Sequence, residues 1–216
     1  MRQVLKDLWE TRPDSPFPGL TTHAYLWTPT RALFYAPATD ADFDQIEGAG
    51  GIAHHYLSHR DEAGPMLKRI AQRFGSTLHA PAAERAEIGV HHPVDVPLSI
   101  RRTDTNHVEV IPTPGHTPGS TCYLVSGAEG RYLFTGDTMG RGPDGGWWAG
   151  YIEGMSDRAA LADSLTLLAE LEPDVVISSA FQGDSAVHRI APGGWQDHVA
   201  QARYGLFTPA WNGPGY

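Results

Sequence analysis

Cysteine is almost absent from this chain of 216 residues: Cys122 stands alone, so no intrachain disulfide can form and a thiolate-rich zinc cage is excluded. Any metal must be held by His, Asp or Glu. Cys122 itself lies in the apolar run Thr121 to Val125 and reads as a small core residue rather than a reactive thiol. Basic charge is also scarce. With 16 Lys and Arg against 25 Asp and Glu, the formal net charge is −9 and no basic run appears. That argues against a nucleic-acid partner, because phosphate binding needs a cationic face that releases counterions. No apolar stretch approaches transmembrane length, and Met1 to Glu10 mixes charges with short apolar runs instead of forming an h-region. A soluble cytoplasmic chain with no membrane partner is expected. Linkers and internal repeats are lacking too, so a single domain over residues 1–216 is expected.

What is present is a series of short β-rich segments punctuated by Gly, Pro and Asp: Thr21 to Thr28, Arg31 to Tyr35, Ile52 to Leu57, Thr77 to Ala80, Val108 to Ile111, Thr121 to Val125, Tyr132 to Phe134 and Val175 to Ser178. Helical patterns fall between them. From Asp157 to Glu172, Leu161, Leu165, Leu168 and Leu171 share one face, Ser156 is placed to cap the start, and Pro173 stops the helix. A second helix is expected from Pro65 to Phe74, ended by Gly75, a third from Trp195 to Tyr204, and a short one within Pro81 to Ile88. Periodicity alone leaves two architectures open, a single α/β sheet and a sandwich of two sheets flanked by helices.

Two loops carry the chemical signal. Thr113-Pro114-Gly115-His116-Thr117-Pro118-Gly119-Ser120 offers an imidazole, and 21 residues after His116 the run Phe134-Thr135-Gly136-Asp137-Thr138 offers a carboxylate. Neutral imidazole and carboxylate are the usual ligands of borderline and hard cations, and loops leaving strands can aim them into one cleft. In their order and in the strand between them, Tyr123-Leu124-Val125, these loops resemble the metallo-β-lactamase-fold superfamily, and the Pro-Gly-His-Thr-Pro-Gly-Ser form looks like its glyoxalase II (hydroxyacylglutathione hydrolase) branch. The resemblance implies an α/β (α+β) fold, a four-layer αββα sandwich with the site along the sheet edges, in which His116 is a metal ligand and Asp137 a metal-bridging one.

Elsewhere the family pattern is broken. The His-x-His-x-Asp-His signature is represented by Leu57-Ser58-His59-Arg60-Asp61-Glu62-Ala63-Gly64, which fits in two registers. In one, His59 is the first histidine and Asp61 stands in place of the second. In the other, His59 is the second histidine, Asp61 keeps its role and Glu62 replaces the last histidine. After the late strand, Phe181 stands where the resemblance expects a histidine ligand, and Ala36-Pro37-Ala38 replaces an Asp-Pro-Gly. Too few ligands remain for a two-metal centre. The candidate metal set is His59, Asp61, His116 and Asp137 around one divalent ion, zinc ahead of iron. His188 is a possible late substitute for the lost ligand. His54 and His55 are adjacent in a strand and face opposite ways.

The simplest chemistry is hydrolysis of a small ester or thioester by metal-activated water, with Asp61 as the catalytic residue that orients or deprotonates it. Trp147, Trp148 and Phe181 are candidate substrate contacts, and Arg60 and Arg141 are candidate anion attractors. Two other readings stand beside it. The related persulfide dioxygenases imply one iron on two histidines and one aspartate, and a chain that has lost so many ligands could equally be a metal-free, non-catalytic binding scaffold.

Overall fold

The computed structural model describes residues 1–208. One sheet has seven strands in the order Arg2–Leu5, Leu8–Glu10, Tyr25–Trp27, Ala32–Phe34, His54–Tyr56, Thr77–Pro81 and Val96–Leu98, antiparallel up to Ala32–Phe34 and parallel beyond it. A second has six, in the order Arg102–Thr103, Glu109–Pro112, Thr121–Gly127, Gly130–Gly136, Val175–Ser178 and Val187–Arg189. Its one parallel pairing joins Gly130–Gly136 to Val175–Ser178.

Period-two alternation explains the layering. In the second sheet Val110, Tyr123, Val125, Tyr132, Phe134, Val175 and Ile177 face the first sheet, where they meet Tyr25, Phe34 and Tyr56. Phe34 and Phe134 stack across the gap with centroids 3.9 Å apart. The alternate residues Ile111, Cys122, Leu124, Leu133 and Val176 turn outward and are covered by Leu161, Leu165 and Leu168 of helix Arg158–Leu168 and by Trp195 and Val199 of helix Trp195–Gly205. Both faces are therefore apolar, as a sheet buried between layers requires. On the far side of the first sheet, Leu67 of helix Met66–Phe74 packs with Leu57, Leu78 and Ile88, and Gly75 closes that helix in the left-handed region (φ 64°). The result is an αββα sandwich.

Local differences from the sequence reading have physical causes. Asp157, not Ser156, caps the long helix: its Oδ1 accepts from the Ala159 and Ala160 amides at 2.9 and 3.0 Å. The helix ends at Leu168. The expected strand Thr21 to Thr28 is two strands, because Leu20–Thr22 leaves the large sheet to pair with Asp14–Phe17 and with Ala180–Phe181 in a small sheet of three. No described helix is long and apolar enough to cross a membrane.

Candidate metal centre

His59 leaves the end of strand His54–Tyr56 in an extended conformation and enters a 3-10 turn over Arg60–Glu62. The turn folds the Glu62 side chain back under the histidine. Glu62 Oε2 accepts the Ser58 amide at 2.8 Å, its Oε1 accepts the Ser58 hydroxyl and lies 3.4 Å from His59 Nδ1, and Ser58 Oγ is 2.9 Å from the same nitrogen. Nδ1 is thus engaged from behind, which leaves Nε2 as the outward lone pair.

His116 is fixed in the same way by a different partner. Its Nδ1 donates to the Gly150 carbonyl at 2.7 Å, while its Nε2 is buried with no protein hydrogen-bond partner. Asp137 follows Gly136, whose φ of 55° and closeness to Ser58 admit no side chain: a Cβ there would lie 2.2 Å from Ser58 Oγ. Gly150 is equally constrained, since its Cβ would fall 1.7 Å from the Asp137 carbonyl oxygen. The two loops bearing histidine are tied together by buried Glu84, which accepts the Arg60 amide at 2.7 Å and the Gly119 amide at 3.0 Å.

These supports bring donor atoms of His59, Asp61 and His116 within 4.8 Å of one another and set Asp137 beside both histidines. His59 Nε2 lies 3.5 Å from Asp137 Oδ2 and 3.9 Å from Asp61 Oδ2, and His116 Nε2 lies 3.8 and 4.0 Å from the same two oxygens. Ligand bonds of about 2.0–2.2 Å in a tetrahedron put neighbouring donors roughly 3.3–3.6 Å apart, so a small inward movement closes the set on a cation. Asp137 Oδ1 is held by the Ser179 hydroxyl at the end of strand Val175–Ser178. The electrostatics point the same way. Burial disfavours charge on His59, but Asp137 and Glu62 outweigh it and hold the imidazole well above its ordinary pKa. Burial and the neighbouring His59 push His116 down. Burial raises Asp137, yet His59, His116 and Ser179 together hold it well below the usual carboxylate range. Asp137 thus favours a positive charge beside it, here the His59 imidazolium.

Beside it opens a cavity of about 520 Å³, with His59, Asp61, His116, Asp137 and Ser179 on its floor. The residues present fit a bound divalent ion: two imidazoles with oriented Nε2 atoms, that of His116 orphaned, the Asp61 carboxylate grouped with them, and Asp137 beside both rings. The description "Metallo-beta-lactamase superfamily" matches residues 42–180. The chain belongs to that superfamily. Hydroxyacylglutathione hydrolase of Shewanella oneidensis is 29% identical over 140 residues, 61% of this chain and 47% of that protein. Its counterpart in Chelativorans sp. is 34% identical over 115 residues, 50% of this chain and 42% of that protein. The chain thus spans about half the length of the curated relatives it matches. Among solved structures, an archaeal metallo-beta-lactamase superfamily protein from Sulfolobus tokodaii superposes with a TM-score of 0.63 at 18% identity, covering 91% of this chain and 86% of that one. A metallo-beta-lactamase from Pontibacter korlensis gives 0.69 at 14% identity, covering 94% and 96%. At such identities the likeness establishes the fold.

The two carboxylates of the His59 loop face different ways: Asp61 Oδ2 lies 3.9 Å from His59 Nε2 and 4.0 Å from His116 Nε2, whereas Glu62 turns behind His59 at Nδ1. Three expected substrate contacts lie elsewhere. Trp147 and Trp148 sit on strand Trp147–Ala149 and are 5% and 2% exposed; Trp147 stacks on His198 at 5.1 Å and meets Trp195 edge-on, so it fills the core under the helices. Phe181 is buried between the sheets against His23, centroids 5.5 Å apart, and the residues of its segment that reach the cavity are Ser179 and Ala180. His188 faces Trp147 at 5.6 Å, away from the cluster. Arg60 is turned to Asp61 and Glu87, Arg141 Nε donates to the Gly145 carbonyl, and neither lines the cavity. Sequence reasoning missed the supports Ser58, Glu84, Gly150 and Ser179. Only the four-residue spacing of Ser58 and Glu62 hinted at such a role.

Proposed function

We propose that the chain is a metal-dependent hydrolase of a small ester or thioester, working as one metallo-β-lactamase-like domain with a single divalent ion, zinc ahead of iron. His59, Asp61, His116 and Asp137 would hold the ion. The observation that carries this reading is the orphaned, buried Nε2 of His116, aimed at the point that His59 Nε2 and two carboxylates also face. When bound, a divalent ion supplies Lewis acidity, lowering the pKa of a water and polarising an acyl carbonyl. The chain's own groups do the rest. Asp61 is 44% exposed where the other three ligands are 11% or less, so it meets the cavity most openly and is the group suited to orient a water and take its proton. His59 and His116 would present Nε2 to the ion because Glu62, Ser58 and the Gly150 carbonyl engage their Nδ1 atoms.

Elemental analysis of protein purified without a metal-binding tag tests the reading. About one equivalent of metal is expected, with both metal and esterase turnover lost in His116→Ala and Asp137→Ala. Unchanged metal content in both variants sinks it. A second reading is favoured by the subset His59, His116 and Asp137, a two-histidine, one-carboxylate set that also suits mononuclear iron oxygenases. Iron in the same analysis, with oxygen uptake on a thiol or persulfide, would select it.

A further inference from the structure

Among the described residues, no lysine or arginine lines the cavity beside the metal cluster. Of its 22 lining residues, Asp14, Asp61, Glu62 and Asp137 are acids. Asp61 and Asp137 balance the two charges of a divalent ion. Asp14 and Glu62 then leave the space neutral to negative. The remaining wall is apolar: Leu20, Pro37 and Met66 together with Ile152, and at the rim Phe17 and Met155, which are 48% and 50% exposed. Among its polar lining residues outside the cluster, the Tyr35 hydroxyl is occupied within the protein and His23 is held through Nδ1. The Tyr35 hydroxyl donates to the Ile177 carbonyl at 2.8 Å and accepts the Gly136 amide at 2.9 Å, and His23 Nδ1 lies 2.6 Å from the Thr11 carbonyl oxygen.

A carboxylate entering this space would give up its hydration and meet no guanidinium or ammonium in return, a cost that sites for anionic ligands avoid by placing an Arg or Lys. An alkyl chain would be transferred from water to apolar wall, and about 520 Å³ is ample room for a small acyl compound. We propose that the substrate is an uncharged ester or thioester with an apolar acyl chain, and that the site discriminates against substrates carrying carboxylates, including the peptide-thiol half of hydroxyacylglutathione. The inference rests on the hydrolase reading above for the reacting bond. It rests on the wall alone for the chemistry of what binds.

Two measurements on the metal-loaded protein keep these apart. Calorimetric titration with N-butylhexanamide, which is not turned over, and with the same amide ending in a carboxylate reads recognition without hydrolysis. The neutral amide is expected to bind at least tenfold more tightly. In parallel, p-nitrophenyl esters from acetate to hexanoate should gain in kcat/KM by roughly fourfold per methylene, from about 0.8 kcal/mol of transfer free energy each, and each ω-carboxylate ester should fall below its neutral counterpart. Met155→Lys, at the rim, should narrow that gap by supplying the missing cation. Tighter or equal binding of the carboxylate amide overturns the proposal, as does failure of both amides to bind. Preferential binding of the neutral amide with no ester turnover would uphold the substrate class and discard the hydrolase.

Discussion

Replacing Glu62 by Gln probes the least obvious part of the metal centre. The side chain is 8% exposed, accepts the Ser58 amide at 2.8 Å and faces His59 Nδ1 at 3.4 Å, with the Ser58 hydroxyl bonded to the same carboxylate. Burial pushes its carboxyl above the ordinary value, and the hydrogen bonds from His59 and Ser58 offset only part of that shift. Glutamine preserves the shape and one acceptor, but it turns an amide N–H toward donors and removes the negative charge that makes the imidazole a better ligand. Loss of such a partner behind a metal-bound histidine costs about 10–100-fold in metal affinity, or about 1.4–2.7 kcal/mol. Folding stability should change by less, since no buried charge is left unpaired. Competition against a chromophoric chelator measures the affinity and urea unfolding of the metal-free protein measures the rest. Metal affinity within twofold of the parent in both Glu62→Gln and Glu62→Ala would refute the claim that Glu62 orients His59.

Gly150→Ala should empty the site without touching a ligand, because its Cβ would fall 1.7 Å from the Asp137 carbonyl oxygen and displace both that loop and the acceptor of His116; elemental analysis of the folded variant reads the loss. Asp157→Ala removes the acceptor of two helix N-terminal amides and should cost about 1 kcal/mol in urea unfolding, with metal content unchanged. His55, its Nε2–H donating to the Tyr35 carbonyl at 2.8 Å, is pushed down to about 4 by burial. Its folded pKa lies below the unfolded value of about 6.5, so the unfolded chain takes the proton first on acidification. Its stabilisation is therefore present above about pH 6.5 and declines toward pH 4, by up to about 3 kcal/mol; urea midpoints that stay level between pH 7 and 5 would contradict this.

The strands were legible because their causes are local, whereas their arrangement as a sandwich was implied only by the family resemblance. Alternation in Val110-Ile111, Cys122 to Val125, Tyr132 to Phe134 and Val175 to Ile177 sends neighbouring residues to opposite apolar layers, and such a pattern is written in the chain itself. The loops of His116 and Asp137 were legible for a similar reason, since each carries its glycines and its donor within a few residues. The tryptophans were not. Trp147 and Trp148 follow Gly145 and Gly146 and so read as substrate contacts, yet Trp147–Ala149 pairs with Met139–Arg141 and Trp147 lies against Trp195, a partner almost fifty positions away. Phe181 misled likewise, because pairing with Thr21 turns it inward and leaves Ser179 to face Asp137.

The His59 loop lies between these cases, because its motif fits two registers and only the turn shows which way each carboxylate faces. A 3-10 turn has three residues per turn, so adjacent side chains diverge by about 120°. With Arg60–Glu62 in that conformation, Glu62 Oε1 lies 3.4 Å from His59 Nδ1, while Asp61 Oδ2 lies 3.9 Å from His59 Nε2 and 4.0 Å from His116 Nε2. Under the proposed single-ion reading, that division gives Asp61 to the ion and Glu62 to the support of His59.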